Sequence, residues 1–529
     1  QREALYPLER LSLEAWQEYF QQKAIDTNTS VLGEIHQAYQ GNALAMKMLR
    51  SRIADDYDHS IADYWTSNRT QEGVVVEQAI ENLIIEQFNR LQEVCPTAYQ
   101  LLYRMGCFRF QDVPTVPREG LLCLLWGIVE HEGVKAIRDL GDRGLVERVN
   151  REYKLHPLIR QEAVKRLQDS EDWEQANRTA AEFWRNLFEY VDNINQLKQS
   201  FEAFHHYFAI PDDECAVEII VESRKANWIS PYPFQLKWYK QETLCELNRR
   251  LGLYTHQIIT AVRKILPHTE NLCNKAILYV SLSESVWILG DIREAIKFYQ
   301  QAREALSQGE NRDVKLDCIA RFSQAICYLE LGEIEEALDI LNPVYEDARQ
   351  HNIYFYLVET SFALAATYSY LGNTAQAQLW INKHKEYYQQ YWDNIGDWAI
   401  VQQSYFLGET YKIFQDYSQS KIAYQQSLED AEKTQYVQVK GKVLTRLAEL
   451  CRLQKKYKDA CKYHTQSIEI LEKLGAKCDL AEAYYQLGLT YQETGELAQS
   501  QDYFKRAIEL WEKINAPKQV ARVRESIKK

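Results

Sequence analysis

The stretch Leu487-Gly488-Leu489-Thr490-Tyr491, followed by Ser500, Phe504 and Ala507, decides the reading of this chain. A register shift of 40 superposes it on Leu447-Ala448-x2-Cys451 with Ala460, His464 and Ser467. A second shift of 40 reaches Leu407-Gly408-x2-Tyr411 with Ser420, Tyr424 and Ser427. A small residue on each of two consecutive helices lets them approach closely, and the aromatic four residues on fills the groove they leave.

The same columns continue upstream as Leu364-Ala365-x2-Tyr368 with Ala377, Gln324-Ala325-x2-Tyr328 with Ala337, and Leu282-Ser283-x2-Val286 with Ala295, Tyr299 and Ala302. This is the tetratricopeptide (TPR) pattern. The small positions 283, 325, 365, 408, 448 and 488 step by 42, 40, 43, 40 and 40, against a usual 34, so both helices of each pair are expected to be extended. Glycine stands seven after the small residue at Gly290, Gly332, Gly372 and Gly495, where a helix must stop and turn. A weaker seventh pair is expected from Leu244-Cys245-x2-Asn248 with Gly252, and residues 517–529 as a capping helix. The predicted fold is all-α, a winged-helix module followed by a right-handed TPR α-solenoid superhelix over residues 241–516.

In a solenoid each repeat touches its neighbours, and together they build a long concave surface, so function here means binding a protein or peptide. Three residues before the small position, Phe322, Phe362, Tyr405 and Tyr485 are aromatic and form a candidate ligand stripe with Glu409, Lys412 and Arg452. Aromatics at helical spacing also pack between helices, and charged residues such as these, with Glu449, also form solvated faces.

Composition agrees with helix: of 529 residues only 20 are Gly and 11 Pro. A net charge of -13, with no dense Lys/Arg run, disfavours nucleic acid. The eleven scattered cysteines make neither a zinc pattern nor a disulfide framework. No apolar run reaches the ~18 residues of a membrane span and no signal peptide is visible, which predicts a soluble, cytoplasmic protein. Gln1 is not an initiator Met, which suggests a lost N-terminal portion.

The first third differs. From about Glu77 to Leu167 it reads as a helix, a loop with Pro114 and Pro117, helices over Glu119–Val129 and Glu132–Leu140, a Gly141-Asp142-Arg143-Gly144 break, a polar hairpin over Leu145–His156, and a helix from Pro157. That is a winged-helix outline. Between Cys95 and Asp169 there are twelve Lys/Arg against ten Asp/Glu, a nearly neutral balance that favours packing against protein over binding phosphates. Residues 171–240 are expected to be a helical linker.

The order Leu11-Ser12-x-Glu14-Ala15-x4-Phe20, Gly41-Asn42-Ala43-Leu44-Ala45, a hairpin ending in Leu155-His156-Pro157-Leu158-Ile159-Arg160, and then TPRs resembles the STAND NTPases of the NB-ARC type, in their bacterial TPR-bearing branch. The resemblance implies a small helical domain over 1–76, a winged-helix domain over 77–170 and a sensor behind them. It also implies nucleotide-sensing roles for Gly41, Asn42, Ala43, Leu44 and His156, the first four against the base and His156 at the phosphates of ADP. Two departures stand out, Ala43 where the family has proline and Pro157 where an acidic residue often follows the histidine. No phosphate loop is present: the only Gly-Lys, Gly441-Lys442, has Tyr436 where the first glycine belongs. The segment is therefore expected to be no enzyme and to hold no cofactor or metal itself, with ADP or ATP bound by a domain before Gln1. His205-His206 reads as packing. The function implied is the regulatory portion of a switch that opens and homo-oligomerises, in defence or gene control. A free-standing TPR scaffold or peptide-sensing adaptor is the alternative, and an activator using its winged helix on DNA is a third reading.

Overall fold

The computed structural model describes residues 10–27, 30–68, 76–188, 190–191, 194–221, 224–226, 241–242, 250, 255–309, 313–391 and 395–528. It divides into two compact units, Gln1–Phe188 with Asn195–Asp212, and Glu189–Ile194 with Asp213–Lys529. The division falls inside the expected linker.

In the first unit, α1 (Leu13–Gln21), α2 (Ser30–Ala38), α3 (Ala43–Asp56) and α4 (Ile61–Asn68) bury Trp16, Phe20, Leu49, Ile53 and Tyr64. Ser12 caps α1 and Asn42 caps α3, each accepting backbone N–H groups that the first helical turn leaves unpaired. Behind them come α5 (Val76–Val94), α6 (Pro96–Arg104), α7 (Arg118–Leu122), α8 (Glu130–Asp142), the hairpin β1 (Glu147–Val149) and β2 (Glu152–Lys154), and α9 (Pro157–Gln168). Val116 pairs with Tyr153, so an extended residue before α7 adds to the hairpin. The helix expected over 119–129 stops at Leu122, and Gly127 adopts a left-handed φ of 79°. Arg104 ties the unit together by pairing with Asp172 at 2.8 Å, donating to the Leu124 carbonyl at 2.8 Å and lying 3.6 Å over the Trp126 ring. Helices α10 (Trp173–Asn186) and α11 (Ile194–Phe208) follow, the first carrying a strongly one-sided apolar face through Ala176, Ala180 and Trp184.

The second unit contains α12 (Asp213–Val221) and a small sheet, β3 (Tyr190–Val191), β4 (Arg224–Ala226) and β5 (Gln241–Glu242), where a purely helical linker was expected. The proposed seventh pair lies outside the described residues. After α13 (Thr255–Ile265) six helix pairs run in tandem: α14 (Leu272–Ile288) and α15 (Ile292–Gln308), α16 (Val314–Leu331) and α17 (Ile334–Gln350), α18 (Tyr354–Tyr370) and α19 (Thr374–Gln390), α20 (Asp397–Ile413) and α21 (Tyr417–Thr434), α22 (Val437–Leu453) and α23 (Tyr457–Leu474), α24 (Lys477–Thr494) and α25 (Leu497–Lys513). Helix α26 (Pro517–Lys528) closes the series. A Cβ at Gly408 would stand 2.5 Å from the Tyr424 ring and one at Gly488 would stand 2.7 Å from that of Phe504, which is why the column demands a small residue opposite an aromatic.

Candidate functional site

The inner helices of the repeats should be apolar on both flanks, yet three of them carry polar residues at i, i+3 or i+4 and i+7: Tyr405, Glu409 and Lys412 on α20, Lys442, Arg446 and Glu449 on α22, Asp479, Glu482 and Gln486 on α24. Helical spacing brings each set onto one face. These faces converge on a channel of about 330 Å³ in the concave interior of the solenoid, with Glu330 of α16 and Arg522 of α26 completing its wall.

The charges in this channel are paired. Arg446 forms an ion pair with Glu409 at 2.9 Å and donates to Glu449 at 3.2 Å and Glu482 at 2.7 Å, spanning three helices with one guanidinium. Lys412 bridges Glu409 at 3.3 Å and Glu449 at 3.0 Å, Lys442 pairs with Glu330, and Arg522 pairs with Glu482. Glu409 is 1% exposed and also accepts the hydroxyls of Tyr370 and Tyr424. Burial pushes its carboxyl pKa up, but Arg446, Lys412 and the two phenols outweigh this and hold it at about 2. Glu482, half-buried, is held well below the usual range by Arg522 and Arg446. Asp479 goes the other way, to about 6, because burial dominates and its nearest cation, Lys442 at 3.8 Å, is engaged more closely by Glu330.

The solenoid also closes on itself around this channel. The turn after α14 meets the start of α24, where the Lys477 N–H donates to the Leu289 carbonyl at 3.2 Å and the Lys477 ammonium grips Asp291 at 2.7 Å. Arg293 donates to the Asn515 carbonyl at 3.1 Å, and Gln519 to the Glu330 carbonyl at 2.9 Å. The first and second repeats thus touch the last repeat and the capping helix.

Residues 441–513 match the tetratricopeptide repeat family model. No curated protein sequence matches the chain. Among solved structures it is similar to a signal transduction ATPase with numerous domains, a STAND protein with a TPR sensor from Pyrococcus horikoshii, at 16% identity and a TM-score of 0.46, over 98% of this chain and 69% of that one. It is also similar to aspartyl phosphate phosphatase F from Bacillus subtilis, at 12% identity and a TM-score of 0.40, over 85% and 96% of the two chains. A Rap protein complexed with Competence and Sporulation Factor gives 13% identity and a TM-score of 0.40, over 68% and 93%.

Of the concave-face residues expected from the TPR columns, Tyr405, Glu409 and Lys412 line the channel. Phe322 and Phe362 do not, and here the expectation is corrected. They are 2% and 0% exposed, and pack on each other and on Trp398 and Phe406 between neighbouring helices, so they hold the solenoid together and offer no surface to a ligand. Tyr485 packs against Phe504 and Trp511, and Arg452 is bound to Glu493 and Gln486 beside the channel. Lys442, Arg446, Asp479 and Glu482 were missed, although their i, i+3 and i, i+4 spacing on inner helices was a visible signal.

In the first unit, Gly41 takes a left-handed φ of 69° and its missing Cβ leaves room for the Leu11 carbonyl, 2.5 Å from where that atom would stand. Asn42 occupies the N–H groups of Leu44 and Ala45, so this turn is closed by its own cap. His156 caps α9, its Nδ1 accepting the Leu158 N–H at 3.3 Å. Burial lowers its pKa, and it shares the electrostatic neighbourhood of Glu147 and of Lys47 on α3, which are themselves bridged at 3.0 Å.

Proposed function

We propose that this chain is the regulatory and sensor portion of a STAND-type signalling switch, and that the axial channel of its TPR solenoid receives a protein or peptide ligand. The observation that carries the reading is the paired-charge channel on the concave face: a ligand presenting its own ammonium and carboxylate groups exchanges with preformed ion pairs rather than entering an apolar slot. The element order α6, α7, α8, β1 and β2 supports a winged-helix reading of residues 77–170.

The nucleotide would be held by an NTPase domain before Gln1, with this segment supplying the latch. His156 suits that role chemically: with Nδ1 accepting from Leu158, the neutral ring carries its proton on Nε2, a donor for a phosphate oxygen. Gly41 to Leu44 offers no free N–H at Leu44 and only steric contact there. The chain alone is not expected to hydrolyse ATP, and turnover above a heat-treated control would count against this.

The channel is tested by selecting binders from a random dodecapeptide display library on the purified chain. Selected peptides should lose tenfold or more in affinity, about 1.4 kcal/mol, with Lys442→Met or Glu482→Gln. Equal binding to both variants would remove the channel from the function. The latch is tested separately in the full-length protein, where His156→Ala should lower ADP retention and raise ligand-independent oligomerisation. Unchanged retention with a sharply lower Tm would make His156 structural. The adaptor alternative draws its support from the tetratricopeptide match over residues 441–513, and predicts no nucleotide effect at all.

A further inference from the structure

Nine arginines lie between Cys95 and Asp169. Six are engaged: Arg104 with Asp172, Arg109 with Asp112, Arg118 with Glu119 at 3.6 Å, Arg143 with Asp55, Arg160 with the Phe108 carbonyl and Arg166 with Glu162. Among the described residues, Arg138, Arg148 and Arg151 make no ion pair and no hydrogen bond. All three line one groove of about 660 Å³ between α8 and the β1–β2 hairpin, with Arg118 at its edge and Val134, Ile137 and Tyr153 beneath. Glu119, already taken by Arg118, and Asp142 are its acidic members.

The hairpin turn adds a second observation. Asn150 and Arg151 both have left-handed φ, 49° and 71°, the geometry of a two-residue turn that favours Asn-Gly. Arginine at the glycine position costs about 1–2 kcal/mol. A strained residue that puts a cation at the tip of a hairpin, facing another on a helix, marks a place where charge is wanted.

We propose that this groove binds the phosphate backbone of a duplex DNA. A guanidinium presents a planar fork matched to phosphate oxygens, and a helix with an adjoining hairpin supplies two supports across a backbone strand. A protein partner would need a buried apolar anchor, and the apolar lining is limited to Val134, Ile137, Val146 and Tyr153 beside four arginines. The net charge of -13 opposes approach at long range, so binding is weak and strongly salt-dependent. The site is independent of the channel and of the nucleotide reading.

The test uses the full chain and a fluorescein-labelled 20-base-pair duplex of mixed sequence, titrated by anisotropy from about 25 to 200 mM salt. Three phosphate contacts give a log–log salt slope of about -2.7, and each single substitution Arg138→Gln, Arg148→Gln or Arg151→Gln should reduce it by about 0.9. The triple variant should lose binding while melting as before, since all three side chains are exposed. Three results would overturn the proposal: no binding at the lowest salt, equal binding by the triple variant, or displacement of the duplex by poly-glutamate as readily as by unlabelled DNA. The last would assign the groove to an acidic protein.

Discussion

Arg446 and Arg151 are the same residue type in two opposite situations. Arg446 sits in the solenoid channel, 15% exposed, with carboxylates from three helices around it. Arg151 stands at a hairpin tip, exposed and unpaired among the described residues, on a backbone that disfavours it. The channel charges are paired with one another across helices, so a ligand there must exchange with them, whereas the groove arginines have no ion-pair partner among the described residues. A sum over residues hides this: twelve cations against ten acids between Cys95 and Asp169 look neutral, yet the three arginines unpaired among the described residues fall in one place.

The comparison breaks most visibly at Glu409. Glu409→Gln leaves Arg446 and Lys412 short of a charge in a site that is 1% exposed, and should destabilise the solenoid by about 3–5 kcal/mol. Arg148→Gln on the hairpin should change stability by less than about 0.5 kcal/mol. Urea unfolding of both variants decides it. A loss below 1 kcal/mol at Glu409 would mean that the channel network is not holding the helices.

Acid should act next. His206, His384 and His464 are at most 2% exposed, and burial lowers their pKa to about 3, 4 and 3 respectively. Their folded values lie below the unfolded 6.5, so the stability they permit is fully present above pH 6.5. It is lost as pH falls, at about 1.4 kcal/mol per unit per group. At pH 5.5 the three together cost about 4 kcal/mol. Asp479 has the opposite sign: its folded pKa of about 6 exceeds 3.8, so its ionisation penalises the fold at neutral pH and protonation relieves it between pH 6 and 4. The histidines outnumber it, and Tm should fall from pH 7 to 5.5. A rise would show that the raised carboxyls dominate, Asp479 together with Glu202, which burial lifts to about 7.

The repeats were legible because their constraint is steric and local. A small residue at 408, 448 or 488 facing Tyr424, His464 or Phe504 leaves a trace at a fixed interval. The turn seven residues on was only partly legible: Gln415 and Lys455 adopt the same left-handed φ, 62° and 60°, as the glycines of the other four repeats. The channel was half legible. Tyr405, Glu409 and Lys412 announced themselves on one helix, but which charges meet depends on how far the solenoid curls. Its closure comes from contacts such as Lys477 with Asp291, 186 residues apart, that no repeat column encodes. Phe322 and Phe362 misled because ligand stripes and interhelical packing share one spacing. The groove was illegible, since pairing and not composition makes it.

Closure itself can be separated from backbone strain by two glycines. Gly290 and Gly372 both have left-handed φ, 78° and 72°, so alanine strains each by about 1 kcal/mol. A Cβ at Gly372 meets nothing within 4 Å, whereas one at Gly290 falls 2.4 Å from the Cys478 backbone nitrogen, across the ring closure. Gly290→Ala should therefore cost about 2 kcal/mol or more, and it should expand the chain in small-angle scattering. Gly372→Ala should leave the dimensions unchanged. Equal dimensions for both would show that the ring does not depend on this contact.

The smallest effect returns to Arg151. If its left-handed conformation is tolerated for the sake of its charge, Arg151→Gly should remove about 1–2 kcal/mol of strain while adding about 0.5–1 kcal/mol of unfolded-state entropy, for a net gain of a few tenths to 1 kcal/mol. Arg151→Ala keeps a Cβ in the same strained turn and should gain nothing. Both remove the guanidinium, so both should weaken duplex binding equally and reduce the salt slope by about 0.9. A stabilised Arg151→Gly that binds as weakly as Arg151→Ala ties the strain to the charge. If Arg151→Gly is no more stable than Arg151→Ala, the turn is not strained, and the hairpin tip loses its claim to be anything more than a solvated loop.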